Sequence, residues 1–169
     1  MFEFILGTNK NDVVEGSSDA EYLNAFAGDD TINGGGGGDV LVGADGADRF
    51  VFSSPSDPSF KGDGKSDLVD AILDFTSGKD RIDLSHLAPE MTHELTFTGS
   101  TPKPYSVYYQ LGCNLESNPM MRNALPSYCY TERSVTLMVD LDGDVQEEAD
   151  FMIFLIKTTS VSESDLILS

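Results

Sequence analysis

Five acidic side chains fall at nine-residue intervals in the first third of the chain: Asp12, Glu21, Asp30, Asp39 and Asp48. Two positions after each stands an apolar residue, Val14, Leu23, Ile32, Leu41 and Phe50 in turn. Carboxylates stacked at strand spacing repel one another unless a cation lies between them. Their oxygens, joined by backbone carbonyls, make a hard-oxygen cage that favours Ca²⁺ over Zn²⁺ or Cu²⁺. The chemistry this pattern offers is cation binding.

One period shows which elements must position these groups. The units read GTNKNDVVE from Gly7, GSSDAEYLN from Gly16, AFAGDDTIN from Ala25, GGGGGDVLV from Gly34 and GADGADRFV from Gly43. Positions one to six favour turns, with glycines supplying positive φ and close backbone approach. Positions seven to nine predict a very short strand whose central apolar side chain points one way and its neighbours the other. One unit cannot bury its single apolar residue, whereas stacked units build a continuous core. With a turn and a strand in each unit, two units complete one coil. Alternate units then stack, placing Asp12, Asp30 and Asp48 in one column and Glu21 and Asp39 in the other. A Gly/Asp-rich linker, or an apolar solenoid with solvated acidic turns, is the plain alternative. A linker, however, needs no apolar residues in register.

The period resembles the calcium-binding nonapeptide G-G-x-G-x-D-x-U-x of RTX proteins. The match is strongest from Ala25 to Val51; earlier, Lys10 and Asp19 stand where the fourth-position glycine belongs, and Glu21 replaces Asp. The resemblance implies an all-β fold, a right-handed parallel β-roll followed by an antiparallel β-rich lobe. It also implies several Ca²⁺ ions between successive turns, held by Asp12, Glu21, Asp30, Asp39 and Asp48 with the turns of Gly28, Gly34, Gly35, Gly37, Gly43 and Gly46. Further on, "DAILDFTSGKDRIDLSHL" from Asp70 and "VDLDGDVQEEADFMIFLIKTTSVSESDLIL" from Val139 resemble the C-terminal domain of serralysin-type metalloproteases. Similar modules occur in mannuronan epimerases and some exported lipases. By that likeness Asp57 and Asp70 also bind calcium, and Asp57 falls at position six of a degraded sixth period starting at Phe52. The expected organisation is a β-roll over residues 1–60 and a C-terminal lobe over 61–169, in one continuous domain. The lobe carries a cysteine-containing insert at 100–133 and ends in "SDLILS", similar to the uncleaved C-terminal signal of type I secretion.

Composition bounds the function. The 29 acidic against 10 basic residues give a formal charge of -19, which opposes nucleic acid and anionic lipid as partners. "MFEFILGTNK" lacks the basic start and small-residue cleavage site of a secretory leader, so export is expected to use another address. No stretch is long or apolar enough to insert in a membrane as a helix, and "FMIFLI" at 151–156 has the length of a buried strand.

Catalytic motifs are missing. The two histidines, His86 and His93, do not form H-E-x-x-H, since "HELTF" lacks the second His, and no G-x-S-x-G is present. "DLDGD" fails the EF-hand template, with Val145 where Gly is needed and Phe151 where Glu is needed, and predicts a hairpin turn at Asp142–Gly143. Strands are expected near 94–98, 105–111, 134–141 and 150–157. Cys113 and Cys129 are the only cysteines and are expected to close the insert as a disulfide in an exported protein.

The expected function is a non-catalytic module that folds on Ca²⁺ after type I secretion and acts outside the cell. The partners implied are the secretion machinery and either an upstream catalytic domain or an extracellular polysaccharide. The competing expectation is a calcium-dependent polysaccharide- or partner-binding module similar to the R-modules of mannuronan epimerases.

Overall fold

A computed structural model describes residues 3–53, 69–90, 93–111, 134–143 and 151–169. The first half winds through β1 (Glu3–Thr8), β2 (Val13–Glu15), β3 (Glu21–Phe26), β4 (Thr31–Asn33), β5 (Val40–Val42) and β6 (Arg49–Val51). Odd and even strands go to different sheets, so two nine-residue units make one coil. β1, β3 and β5 are parallel neighbours in one sheet, and β2, β4 and β6 in the other. This is a parallel β-roll.

The roll continues past the repeats. β7 (Asp70–Ile72) pairs in parallel with β5, and β8 (Arg81–Asp83) with β6. β9 (Thr96–Phe97), β10 (Ser106–Leu111), β11 (Ser134–Val139) and β12 (Phe151–Ile156) extend the first sheet to eight strands, in the order β1-β3-β5-β7-β12-β11-β10-β9. β11 pairs antiparallel with both β10 and β12, while β12 pairs in parallel with β7 and β10 in parallel with β9. β13 (Leu166–Ile167) caps the second sheet beside β8, giving the order β13-β8-β6-β4-β2. The strands expected in the second half therefore form, and β1, ahead of the first repeat, is an addition to them.

The core follows the eighth position of each unit. Ile5, Leu23, Leu41 and Ile72 lie in register across one sheet, and Val14, Ile32, Phe50 and Ile82 across the other. From Leu23 and from Ile32 onward these side chains are fully buried. The inner row then passes without a break into the lobe, because Ile72 is in register with Leu155 and Leu155 with Val135. Full burial of each such side chain is worth about 2 kcal/mol, and stacking supplies it where an isolated unit could not.

The next described strand beside β5 is β7, which begins at Asp70, and most of the sixth unit expected from Phe52 lies outside the described residues. One expectation is corrected: the connection after β11 is longer than a tight hairpin turn, because Val139 pairs with Phe151. Its first residues do turn, with Asp140 Oδ1 accepting the Gly143 N–H at 2.6 Å and Gly143 at φ 84°. Cys113, Cys129, most of the insert and Asp57 lie outside the described residues.

Candidate metal centre

Each sixth-position residue begins or immediately precedes a short strand, so parallel stacking brings the acids of alternate units together. The Asp12 N–H donates to Asp30 Oδ1 at 2.8 Å, and the Asp30 N–H to Asp48 Oδ1 at 3.1 Å. In the other column the Glu21 N–H donates to Asp39 Oδ1 at 2.9 Å. Each such carboxylate thus uses one oxygen to tie its coil to the previous one. The second oxygen turns elsewhere. The Oδ2 atoms of Asp30 and Asp48 are buried and accept no hydrogen bond from the described residues.

The glycines explain where those second oxygens lie. A Cβ on Gly43 would stand 2.3 Å from Asp48 Oδ2, and one on Gly34 would stand 2.4 Å from Asp39 Oδ2. Gly34 and Gly43 are thus needed for room beside their own unit's carboxylate rather than for positive φ, whereas a Cβ on Gly7 or Gly16 would first meet the carbonyl oxygen of Ala25 or Gly34. The fourth-position glycine serves coil stacking. Gly46 has φ 140°, and a Cβ there would fall 1.7 Å from the Gly28 carbonyl oxygen. Gly28 lies in the same way over Lys10, Gly37 over Asp19, and second-position Gly35 over Ser17. Lys10 is tolerated at the fourth position because it sits in the outermost described coil.

The columns continue into residues that the repeat does not mark. Asp39 donates its N–H to Asp70 Oδ1 at 2.7 Å, 31 residues on rather than the 18 that separate Glu21 from Asp39. Asp70 therefore takes the place in the stack that the nine-residue count reserves for Asp57. Likewise the Asp48 N–H donates to Asp80 Oδ1 at 3.1 Å, so Asp80 ends the first column. Asp80 was missed because the turn before it carries a single glycine, Gly78 at φ 83°, and falls outside the nine-residue count. The available signal was the triplet Asp-x-apolar: Asp70-Ala71-Ile72 and Asp80-Arg81-Ile82 repeat Asp39-Val40-Leu41.

The outer members differ in their surroundings. Asp12 Oδ2 accepts the Thr8 N–H and Oγ1–H at 2.6 and 2.7 Å. Glu21 accepts the Ser17 N–H at 2.7 Å through Oε2 and its Oγ–H at 2.6 Å through Oε1. Asp74 accepts the Gly43 and Ala44 N–H groups, holding the next turn in place.

Charge is the difficulty of this arrangement. Two carboxylates about 4.8 Å apart repel by about 3 kcal/mol at an effective dielectric constant of ~20. The five stacked intervals would then cost about as much as a whole domain's net stability of ~5–15 kcal/mol. Burial, reinforced by Asp80, Asp30 and Asp74, pushes Asp48 up to about 6 against the backbone hydrogen bond it accepts. Asp80 is raised too, chiefly by burial. A bare stack must take up protons or a cation.

The donor set fits a hard cation. Among the described residues no three His, Cys, Asp or Glu side chains form a ready metal cluster. A cation here would need backbone carbonyls as well as carboxylates, as Ca²⁺ accepts with its six to eight oxygen ligands and Zn²⁺ does not. The histidines stand apart from these columns in role: His93 stacks on Tyr105 with ring centroids 4.1 Å apart, and His86 lies in the short 3-10 segment Ser85–Glu90.

Comparison with known proteins is consistent with this geometry. The family model described as Peptidase M10 serralysin C terminal matches residues 24–168. The chain belongs to that serralysin C-terminal family. Two solution structures share its fold, both from the Azotobacter vinelandii mannuronan C5-epimerase. The AlgE6R3 subunit has 22% identity and a TM-score of 0.57, with 96% of this chain and 81% of that one covered. The AlgE6R2 subunit has 21% identity and a TM-score of 0.57, with 97% and 91% covered. Nothing among curated proteins matches the chain. In this serralysin C-terminal chain the match starts at Asn24, inside the second repeat, and takes in Asp30, Asp39, Asp48, Asp70 and Asp80. Among the described residues no helix is long and apolar enough to cross a membrane.

Proposed function

We propose that the chain is a calcium-dependent folding module of an exported protein. Asp12, Asp30, Asp48 and Asp80 would line one series of Ca²⁺ sites, and Glu21, Asp39 and Asp70 the other. The turns of Gly28, Gly34, Gly35, Gly37, Gly43 and Gly46 would add carbonyl oxygens. The observation that carries this reading is the pair of buried, unpartnered oxygens, Asp30 Oδ2 and Asp48 Oδ2, in a stack of like charges. A bound cation supplies the missing positive charge there.

Function then follows from linkage. Sites of extracellular grade bind Ca²⁺ with Kd of roughly 10⁻⁴ to 10⁻³ M. At cytosolic calcium they would stay empty, and the chain would remain unfolded and fit for a type I secretion channel. Outside the cell they fill and the roll forms. Family membership supports this reading, in which the module is non-catalytic and serves an attached or associated exported protein.

The test is circular dichroism of the purified chain in millimolar calcium and then in chelator. Loss of the β spectrum and a large drop in Tm are expected on chelation. An unchanged spectrum and Tm after verified metal removal would refute the proposal.

The likeness to epimerase subunits favours a second reading, a calcium-dependent polysaccharide-binding module. At -19 the chain would repel an anionic polymer unless bound calcium offset its charge. Retention on an alginate column in calcium, abolished by chelator, is the result that reading requires.

A further inference from the structure

The stacked acids stand in two kinds of turn, set by the residue four places before each of them. Thr8, Ser17 and Thr76 donate their N–H groups to the carboxylates of Asp12, Glu21 and Asp80, at 2.6, 2.7 and 2.7 Å. Thr8 and Ser17 add their hydroxyls. The corresponding residues before Asp30, Asp39 and Asp48 are Phe26, Gly35 and Ala44, all left-handed, at φ 72, 82 and 67°. Their N–H groups go elsewhere. Phe26 donates to Asn24 Oδ1 at 3.0 Å, Gly35 to Asn33 Oδ1 at 2.9 Å and Ala44 to Asp74 Oδ2 at 2.7 Å.

The handedness of that residue decides what its carboxylate meets. Thr8, Ser17 and Thr76 are not left-handed. Their N–H groups point into the turn and set a positive hydrogen on the oxygen that a cation would approach. At positive φ the peptide is turned away, and Asp30 Oδ2 and Asp48 Oδ2 are left buried with no donor among the described residues. Side-chain type only partly follows this division. Thr is β-branched and disfavours positive φ, whereas Gly adopts it freely. Phe26 and Ala44 hold it against their own preference, and such strain persists where the resulting geometry is used.

We propose that this residue gates cation entry: the left-handed turns at Phe26, Gly35 and Ala44 open Asp30, Asp39 and Asp48 to an ion, while the turns of Thr8, Ser17 and Thr76 are shut. The gate is a positioning residue, since it acts through the direction of its N–H and not as a ligand. The inference rests on the calcium reading and narrows it. Asp12, Glu21 and Asp80 then border the occupied sites without holding an ion of their own.

Equilibrium dialysis of the full chain against radioactive calcium counts the ions bound, with circular dichroism reporting the fold. Ala44→Thr alters no acid and changes an exposed side chain, yet it should bind fewer ions than the wild type. Ala44→Gly, which keeps the left-handed turn, should retain the full number. Ser17→Gly, which gives the Glu21 turn the residue type found before Asp39, should add an ion. A folded Ala44→Thr chain with the full number would overturn the proposal. So would a Ser17→Gly chain with no added ion, and this arm decides alone where Ala44→Thr does not fold. A wild-type chain that binds no calcium would refute the calcium reading itself, and this inference with it.

Discussion

Position six of the repeat decides most of what this chain can do, and its occupants are not equivalent. Asp39 is fully buried and bonded through Oδ1 to the coil before it, with Gly34 leaving room at its Oδ2. Glu21 is also buried, but both of its oxygens are occupied by Ser17. Asp39→Ala is therefore expected to weaken calcium binding by at least about tenfold, equivalent to ~1.4 kcal/mol. Glu21→Ala should cost distinctly less. Calorimetric titration of the two variants decides, and equal losses of affinity and stoichiometry would contradict this ranking. The acidic residues were legible from their period alone. The role of Gly43 was not, because a glycine required for a neighbour's carboxylate looks in sequence like one required for φ.

At the scale of elements, the closing strand is held by one buried acid. β13 pairs only two residues with β8, too few to hold the C-terminal tail by ladder bonds alone. Asp165, fully buried, accepts Ser77 Oγ–H at 2.7 Å and the Gly78 N–H at 2.8 Å, across 88 and 87 residues of sequence. It also accepts the N–H and Oγ–H of Ser162, each at 2.9 Å. Burial works against its charge, but these donors prevail and hold its carboxyl below the usual range. Asp165→Ala should lower stability by about 1–3 kcal/mol through the donors left unmet. A urea melt should show a lower midpoint at unchanged slope, and an unaltered midpoint would mean the tail is held by other contacts. The resemblance had marked this tail as part of the C-terminal domain and its end as similar to a secretion signal, but the bonds by which Asp165 holds it came from tertiary contacts alone.

For the molecule as a whole, the stacked carboxylates make the metal-free fold respond to acid in an unusual direction. Asp48 binds its proton more tightly when folded, at about 6 against 3.8 for the free group. Its contribution to the metal-free fold is fully present below pH 3.8, declines as pH rises, and is lost above about 6. Asp80 shifts in the same direction. Asp83 and Asp165 shift the opposite way; despite burial, Ser85 and Arg49 hold Asp83 low. Their contributions fade only as pH falls below 3.8. Between those limits, acidifying the calcium-free chain from pH 7.5 to 5 should increase its β content, while calcium affinity falls through proton competition. Circular dichroism at the two pH values, in chelator, provides the check. A metal-free chain less folded at pH 5 than at 7.5 would show that carboxylate repulsion does not limit the fold.

The roll could be foreseen because its information is local and periodic. Asp30, Ile32 and Gly28 recur every nine residues, and two-unit coils bring equivalent residues into register by counting alone. Counting failed where the period broke. After Val51 nothing in the spacing specified that Asp70 would lie over Asp39, or that Asp80 would extend the other column. That choice belongs to strand pairing. Val40 pairs with Ala71 and Leu41 with Ile72, which keeps Ile72 on the buried row, and this long-range match outweighs the distance along the chain. The sequence alone determined the chemistry of the turns and the inner row of the roll. Only the tertiary structure decided where the columns end, since a register across 31 residues is set by which apolar side chains share a core.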